Sequence, residues 1–246
     1  MGWIKSVLEA AKNRSRAEGC RERSNHSLSL SIVSAKKRGI NPIIAELKRA
    51  SPSGFRSDID ACEYIKYVES AGVAGLSVIT EPTAFNGSYS LLKEASSLVD
   101  IPVLMKDFVI TEGQVHDAYV LGADAVLLIV GIIGEEGMLK RLYRLVYSLG
   151  MEALVEVHSE ADLNMALGLK PGIVGVNARD LHTLQMDYKQ QERILSVIPG
   201  NTLRIAESGI DTSERIGQLK SLGADGFLIG TSLMRNKEKI NGFLHA

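Results

Sequence analysis

DAVLLIVGIIGEEGMLKRLYRLVYSLGMEALVEV, residues 124–157, reads as a strand, a helix and a second strand in succession. The runs at 124–130 and 152–157 are short and largely apolar, as strands are when both of their faces are covered. Between them, residues 135–149 place apolar side chains three and four apart and stop at Gly150, the usual punctuation of a helix C-terminus. Strand, helix, strand is the repeating unit of a parallel sheet.

The alternation continues in both directions. Apolar runs recur at IIAELK (43–48), AGLSVIT (74–80), PVLMKD (102–107), GIVGVN (172–177), LRIAES (203–208) and GFLIG (226–230), which with the first two makes eight. Segments 58–71, 112–121 and 211–222 have helical spacing and close on Gly72, Gly122 and Gly223. A glycine followed by Ala or Val precedes strands at 72–73, 122–123 and 223–224, a weak internal repeat. Eight such units fit either a doubly wound open sheet or a closed (β/α)8 TIM barrel. The open fold usually carries a glycine-rich phosphate turn after its first strand, whereas here that strand runs into Ala50-Ser51-Pro52-Ser53-Gly54. The chain has 246 residues, close to the roughly 250 of a typical barrel. The expectation is therefore an α/β fold, one TIM-barrel domain over 1–246, with the barrel at 41–246. Residues 1–40 mix charges with scattered apolar positions such as Trp3, Ile4, Val7, Leu28 and Ile32. That pattern suits an N-terminal helical extension packed outside the barrel, or a lid over it.

Composition excludes several classes of function. Hydrophobic residues at 45 % and charged residues at 23 % are ordinary for a globular protein. Lys+Arg 28 against Asp+Glu 29 leaves a net charge of −1. No nucleic-acid or membrane partner is expected, and any phosphate must be held locally. No run reaches the roughly 18 apolar residues of a membrane span, and the amino terminus has no signal-peptide core, so a cytoplasmic location is expected. Cys20 and Cys62 have neither metal-ligand nor redox spacing, and no metal site is expected. Nothing here sets the oligomeric state, for which a monomer is the expectation.

In a barrel of this kind the carboxyl ends of the strands and the loops after them form the active face. Polar residues gather there: Glu46 and Lys48, Lys106 and Asp107, Glu156, Asn177 with Arg179, and Glu207 with Ser208. Side chains alternate along a strand, so Glu46 and Lys48 point to the same side. A lone charged strand end is commonly a solvated surface group, but several converging on one interior must neutralise one another or a ligand. A second signal is Ser208-Gly209 after the seventh strand and Gly230-Thr231-Ser232 after the eighth, where such barrels bind phosphate on glycine turns and a helix start. Ser51 and Ser53 supply a third edge. Plain helix capping by Thr231 or Ser232 is the alternative reading.

Taken in order, these residues resemble the indole-3-glycerol phosphate synthase family over roughly 40–240. The strings that carry the resemblance are Glu46-Leu47-Lys48-Arg49-Ala50-Ser51-Pro52-Ser53, Lys106-Asp107-Phe108, Leu154-Val155-Glu156-Val157, Asn177-Ala178-Arg179-Asp180, Glu207-Ser208-Gly209 and Gly230-Thr231-Ser232. The resemblance implies a lyase that decarboxylates and ring-closes 1-(2-carboxyphenylamino)-1-deoxyribulose 5-phosphate with no cofactor. It implies that Lys106 is the general acid at the ribulose carbonyl. Lys48 then engages the substrate carboxylate or shares in acid catalysis, and Glu156 serves the later dehydration. Glu46 and Asn177 assist at the hydroxyls, Arg179 holds the anthranilate carboxylate, and Glu207 and Ser208 line the site. Phosphate falls to Ser51, Gly209, Gly230 and Thr231. Phe85, Phe108, Leu127, Leu181 and Leu228 are candidates for an apolar wall under the aromatic ring, although any one alone is as readily a core residue. Desolvation and the like charge of Lys48 are expected to lower the Lys106 pKa toward neutrality. Many members read Asn where Ala178 stands and Glu where Thr231 stands.

Three competing readings remain at this point. Phosphoribosylanthranilate isomerase shares the glycine phosphate loops but needs a Cys/Asp pair, and neither cysteine lies at a strand end. An aldolase would use Lys106 as a Schiff-base nucleophile. A non-catalytic binding barrel would have lost its polar strand ends. Of His26, His116, His158, His182 and His245, His158 is the one beside a strand end.

Overall fold

Strands that are apolar on both faces must be covered on both, and the chain achieves this by closing the sheet on itself and wrapping it in helices. The computed structural model describes residues 2–246. Its first half runs α1 (Gly2–Lys12), α2 (Leu28–Lys37), β1 (Ile43–Leu47), α3 (Ala61–Ser70), β2 (Gly75–Ile79), α4 (Tyr89–Leu98), β3 (Val103–Lys106), α5 (Glu112–Val120), β4 (Ala125–Ile129), α6 (Val130–Ile133) and α7 (Glu136–Ser148). The second half runs β5 (Glu152–Val157), α8 (Glu160–Leu167), β6 (Ile173–Asn177), α9 (Tyr188–Val197), β7 (Leu203–Glu207), α10 (Ser213–Ser221), β8 (Gly226–Ile229), α11 (Thr231–Arg235) and α12 (Lys239–Leu244). All strands are parallel, and β8 closes the ring by pairing Leu228 with Ile44 of β1. The fold is the expected (β/α)8 barrel, not the open sheet.

Local chemistry sets the boundaries. Asp60, Ser88, Thr111, Ser159, Asp187 and Thr212 each accept the backbone N–H three residues on, starting α3, α4, α5, α8, α9 and α10. Gly72, Gly122, Gly150 and Gly223 end helices at φ of +88°, +88°, +74° and +96°, a region closed to most side chains.

The strand period of two separates two cores. On β4, Val126 and Leu128 face the helices, while Ala125, Leu127 and Ile129 face the interior with Ile44, Leu104, Leu154, Ile173, Ile205 and Leu228. The first forty residues divide between the two ends of the barrel, so both expectations for this segment hold in part. α2 plugs the amino-terminal end: Leu28, Ile32 and Ala35 join the interior core, and Ser29 N–H donates to Glu152 at 3.0 Å. α1 lies over the carboxyl-terminal end, where the Trp3 ring meets Phe108 and Phe85 edge-on at 5.9 and 6.2 Å. Between them the chain descends the outside of the barrel on ion pairs from Arg14 to Asp107, Arg16 to Asp117, and Arg21 and Arg23 to Asp124.

Leu28 is fully buried and stands where a side chain on Gly75 would be, whereas Leu30 on the same helix is 70 % exposed. Leu28→Ala is expected to cost about 3 kcal/mol in urea unfolding through the cavity it leaves, and Leu30→Ala less than about 0.5 kcal/mol.

Candidate active site

Period-two alternation turns residues 46 and 48 of β1 and its end, 106 of β3, 156 of β5, 177 of β6 and 207 of β7 toward the barrel interior at its carboxyl-terminal end. The side chains meet. Glu46 lies between two lysines, 2.8 Å from Lys48 Nζ and 3.1 Å from Lys106 Nζ. Lys106 Nζ also donates to Glu207 Oε2 at 3.1 Å. Asn177 Nδ2 donates to Glu156 Oε1 at 3.2 Å, and Lys48 Nζ donates to Thr231 Oγ1 at 3.0 Å.

This arrangement reverses the expected shift at Lys106. Burial pulls its ammonium down, but Glu207, Glu46 and Glu156 more than compensate and raise it above the ordinary lysine range. The like charge of Lys48 does not act as expected because Glu46 stands between the two lysines. Burial alone would push the Glu46 carboxyl up, yet Lys48 and Lys106 hold it down at about 2. Burial raises Glu156, and it pushes Glu207 up to about 8 with the help of the neighbouring Glu156 charge. Two ammonium groups and three carboxyls are balanced when one proton stays on the Glu156–Glu207 pair.

Above these groups opens a cavity of about 390 Å³. Lys48, Lys106, Glu46, Glu156, Asn177, Arg179 and Ser208 line it. Glu207, expected on the wall, instead lies fully buried beneath Lys106 and reaches the cavity only through it. Phe85, Phe108, Leu127, Leu181 and Leu228 all line the cavity and give it an apolar side. Trp3, Ile79 and Ile129 are among further apolar lining residues that were not anticipated. Glu81, also unanticipated, is fully buried and accepts the N–H groups of Thr83, Ala84 and Phe85, fixing the loop that presents the Phe85 ring. Asp107 turns aside to Arg14 and Thr80.

The far end of the cavity is suited to an anion. Ser51, Gly209, Gly230 and Thr231 all line it, together with Ser53, Gly54, Ser232 and Arg235. Ser208 and Gly209 both take φ of +67°, a left-handed turn at the cavity wall. No side chain caps α11. The Thr231 hydroxyl is turned to Lys48, and the buried Ser232 hydroxyl has no partner. Plain capping therefore does not account for either residue.

Two glycines are required by the charges. A methyl group on Gly175 would collide with Glu207 Oε1, and one on Gly230 with Glu46 Oε1. Cys62 lies on α3 and Cys20 on the descending segment, neither of them at the cavity, which removes the isomerase pair. Among the described residues no group of three or more His, Cys, Asp or Glu is placed to hold a metal ion.

A family model described as indole-3-glycerol phosphate synthase matches residues 3–244. The chain belongs to the indole-3-glycerol phosphate synthase family. An indole-3-glycerol phosphate synthase of Sulfurisphaera tokodaii is 47 % identical over 239 residues, covering 97 % of this chain and 96 % of its own. One from Thermoanaerobacter pseudethanolicus is 40 % identical over 214 residues, 85 % of this chain and 81 % of its own. Of solved structures, the N-acetylmannosamine-6-phosphate 2-epimerase from Clostridium perfringens superposes with a TM-score of 0.63 at 14 % identity, over 89 % of this chain and 96 % of its own. At that identity the likeness concerns the barrel alone. Enzymes of the synthase family are decarboxylating lyases of tryptophan biosynthesis that act on a phosphorylated small molecule.

Gly175→Ala is expected to displace the Glu207 carboxylate and lower kcat about a hundredfold while the far-ultraviolet spectrum stays native. A second outcome concerns pH. The folded Glu207 value, about 8, exceeds its ordinary 4.5. Between these values the folded chain holds the extra proton, so the contribution of Glu207 to stability is full at low pH and is lost as pH rises. Urea midpoints of Glu207→Gln are expected to fall less steeply than those of the unaltered chain from about pH 5 to about pH 8.

Proposed function

We propose that this chain closes the indole ring of 1-(2-carboxyphenylamino)-1-deoxyribulose 5-phosphate, with Lys106 as the general acid. The observation that carries the reading is the Lys106 ammonium, held at 3.1 Å by both Glu46 and Glu207 on the floor between the aromatic side and the anion-binding end. The substrate's aryl ring lies on Trp3, Phe85 and Phe108, and its carboxylate meets Arg179. Its phosphate takes the N–H groups around Gly209 and Gly230 and the hydroxyls of Ser51 and Thr231. Stretched between these ends, the ribulose carbonyl sits over Lys106.

The ring carbon that bears the carboxylate forms the new bond to the carbonyl carbon, and Lys106 gives its proton to the oxygen. Loss of CO2 returns the bonding electrons to the ring. The hydroxyl just formed then leaves as water, with Glu156 moving the protons and Asn177 and Glu46 holding the hydroxyls. Lys48 neutralises substrate charge beside Thr231, and Glu207 keeps Lys106 in place from below. The raised pKa of Lys106 means that the donating, protonated form is the one present before substrate arrives. The reading takes residues 1–246 as one domain, with 1–40 as the extension of a barrel at 41–246. It has the enzyme working as a cytoplasmic monomer without metal or organic cofactor.

The test is to add the carboxyphenylamino-deoxyribulose phosphate and follow indole fluorescence. The chain is expected to form product, and Lys106→Ala to lose about 10³-fold in kcat. Activity of Lys106→Ala within about threefold of the unaltered chain would overturn the assignment. Borohydride should trap no adduct, because a Schiff base at Lys106 belongs to the aldolase reading.

A further inference from the structure

We propose that His158, which stands outside the substrate cavity, is a positioning residue for Glu156 and shares its proton. The inference rests on the proposed role of Glu156 for its kinetic consequence only. Period-two alternation carries positions 154, 156 and 158 to the same side of β5, so the imidazole follows directly on the Glu156 carboxyl. His158 Nε2 lies 3.2 Å from Glu156 Oε1, and the two side chains are 15 % and 1 % exposed. The backbone beneath the imidazole is fixed, since His158 N–H donates to Asp162 Oδ2 at 3.0 Å within the capping box that starts α8.

The polar accounting around this pair is incomplete in a telling way. Glu156 Oε1 accepts from Asn177, Glu156 Oε2 is buried without a hydrogen-bond partner as is Glu207 Oε1 beside it, and His158 Nε2, 3.2 Å from Glu156 Oε1, is likewise buried without one. Buried polar atoms without partners are rare because each costs free energy. A proton between these two groups satisfies the imidazole in either charge state. When Glu156 is protonated, its O–H donates to neutral Nε2; when Glu156 gives the proton up, Nε2 binds it and donates to the carboxylate. One O–H bond is broken and one N–H bond formed, and no other reactant is needed.

The surroundings bring the two groups toward one another. Glu156 faces Lys106 of β3, Glu46 of β1 and Glu207 of β7, with Asn177 of β6, and burial raises its carboxyl. His158 faces Asp162 of α8, Asp180 in the loop after β6, Glu207 and Lys106, and burial lowers its imidazolium. Burial moves the carboxyl up and the imidazole down, which narrows the gap between their proton affinities. His158 thereby gives Glu156 a place to leave or recover a proton during the late steps without solvent entering the floor.

The pair is tested in the full chain by two measurements. Histidine 15N resonances are followed through a pH titration in the unaltered chain and in Glu156→Gln, with His158 assigned by its disappearance in His158→Asn. Sharing requires that loss of the Glu156 charge lower the His158 midpoint by about one pH unit. An unchanged midpoint overturns the proposal. In the pH profile of kcat, His158→Ala is expected to move the Glu156 limb up by about one unit and to lower kcat about tenfold, with KM within about twofold. His158→Asn, which keeps a donor, recovers part of kcat but not the position of the limb. A His158→Ala profile that superimposes on the unaltered one, or a change confined to KM, also overturns it. If Glu156→Gln proves fully active, the proposed role of Glu156 fails while the 15N titration still decides the pair.

Discussion

A charge cannot be taken into a barrel interior alone, and the active face of this chain is built around that constraint. Removing Lys106 from water costs several kcal/mol. Ionised Glu46 at 3.1 Å returns about 5 kcal/mol if the effective dielectric is about 20, and Glu207 adds a second acceptor at 3.1 Å. One partner roughly offsets the burial, and two fix the ammonium in position. The same reasoning runs outward through Glu46 to Lys48 and Thr231, so that Lys106 and the glycine turn at Gly230 are linked by a continuous chain of contacts. On the aromatic side the acids are met locally, Glu81 by the N–H groups of its own loop and Asp107 by Arg14 and Thr80.

Much of this was readable in the sequence, and the reason is geometric. A charged residue ending an apolar run of five has few places to go in a closed parallel sheet. The strand ends at Glu46, Lys106, Glu156, Asn177 and Glu207 therefore predicted their own convergence. What the sequence could not supply is depth and partner. Sequence spacing does not say that Glu46 falls between two lysines, because that depends on the stagger of β1 against β3 across β2. The expected fall in the Lys106 pKa failed for that reason. Depth also separates Glu207, beneath the floor, from Ser208, the next residue, on the wall.

The residues missed altogether act through distant parts of the chain. Trp3 reaches the cavity only because α1 is brought over the barrel by the ion-paired segment behind it, and nothing local to Gly2–Lys12 announces that. Glu81 looked like an ordinary loop acid, yet it organises three consecutive N–H groups under Phe85. The two ends of the barrel thus divide the labour of the first forty residues. Leu28, Ile32 and Ala35 seal one end by apolar contact alone, while α1 helps shape the site at the other.

Gly175 sits in the middle of an apolar strand and attracts no notice there, but its missing side chain is the volume in which the Glu207 carboxylate rests. A methyl group at 175 has to push that carboxylate aside, and loss of the acid leaves a void that a larger residue at 175 can fill. The pair on β8 and β1, Gly230 with Glu46, obeys the same rule. The buried acids of this barrel thus keep their positions only while the empty places beside them stay empty.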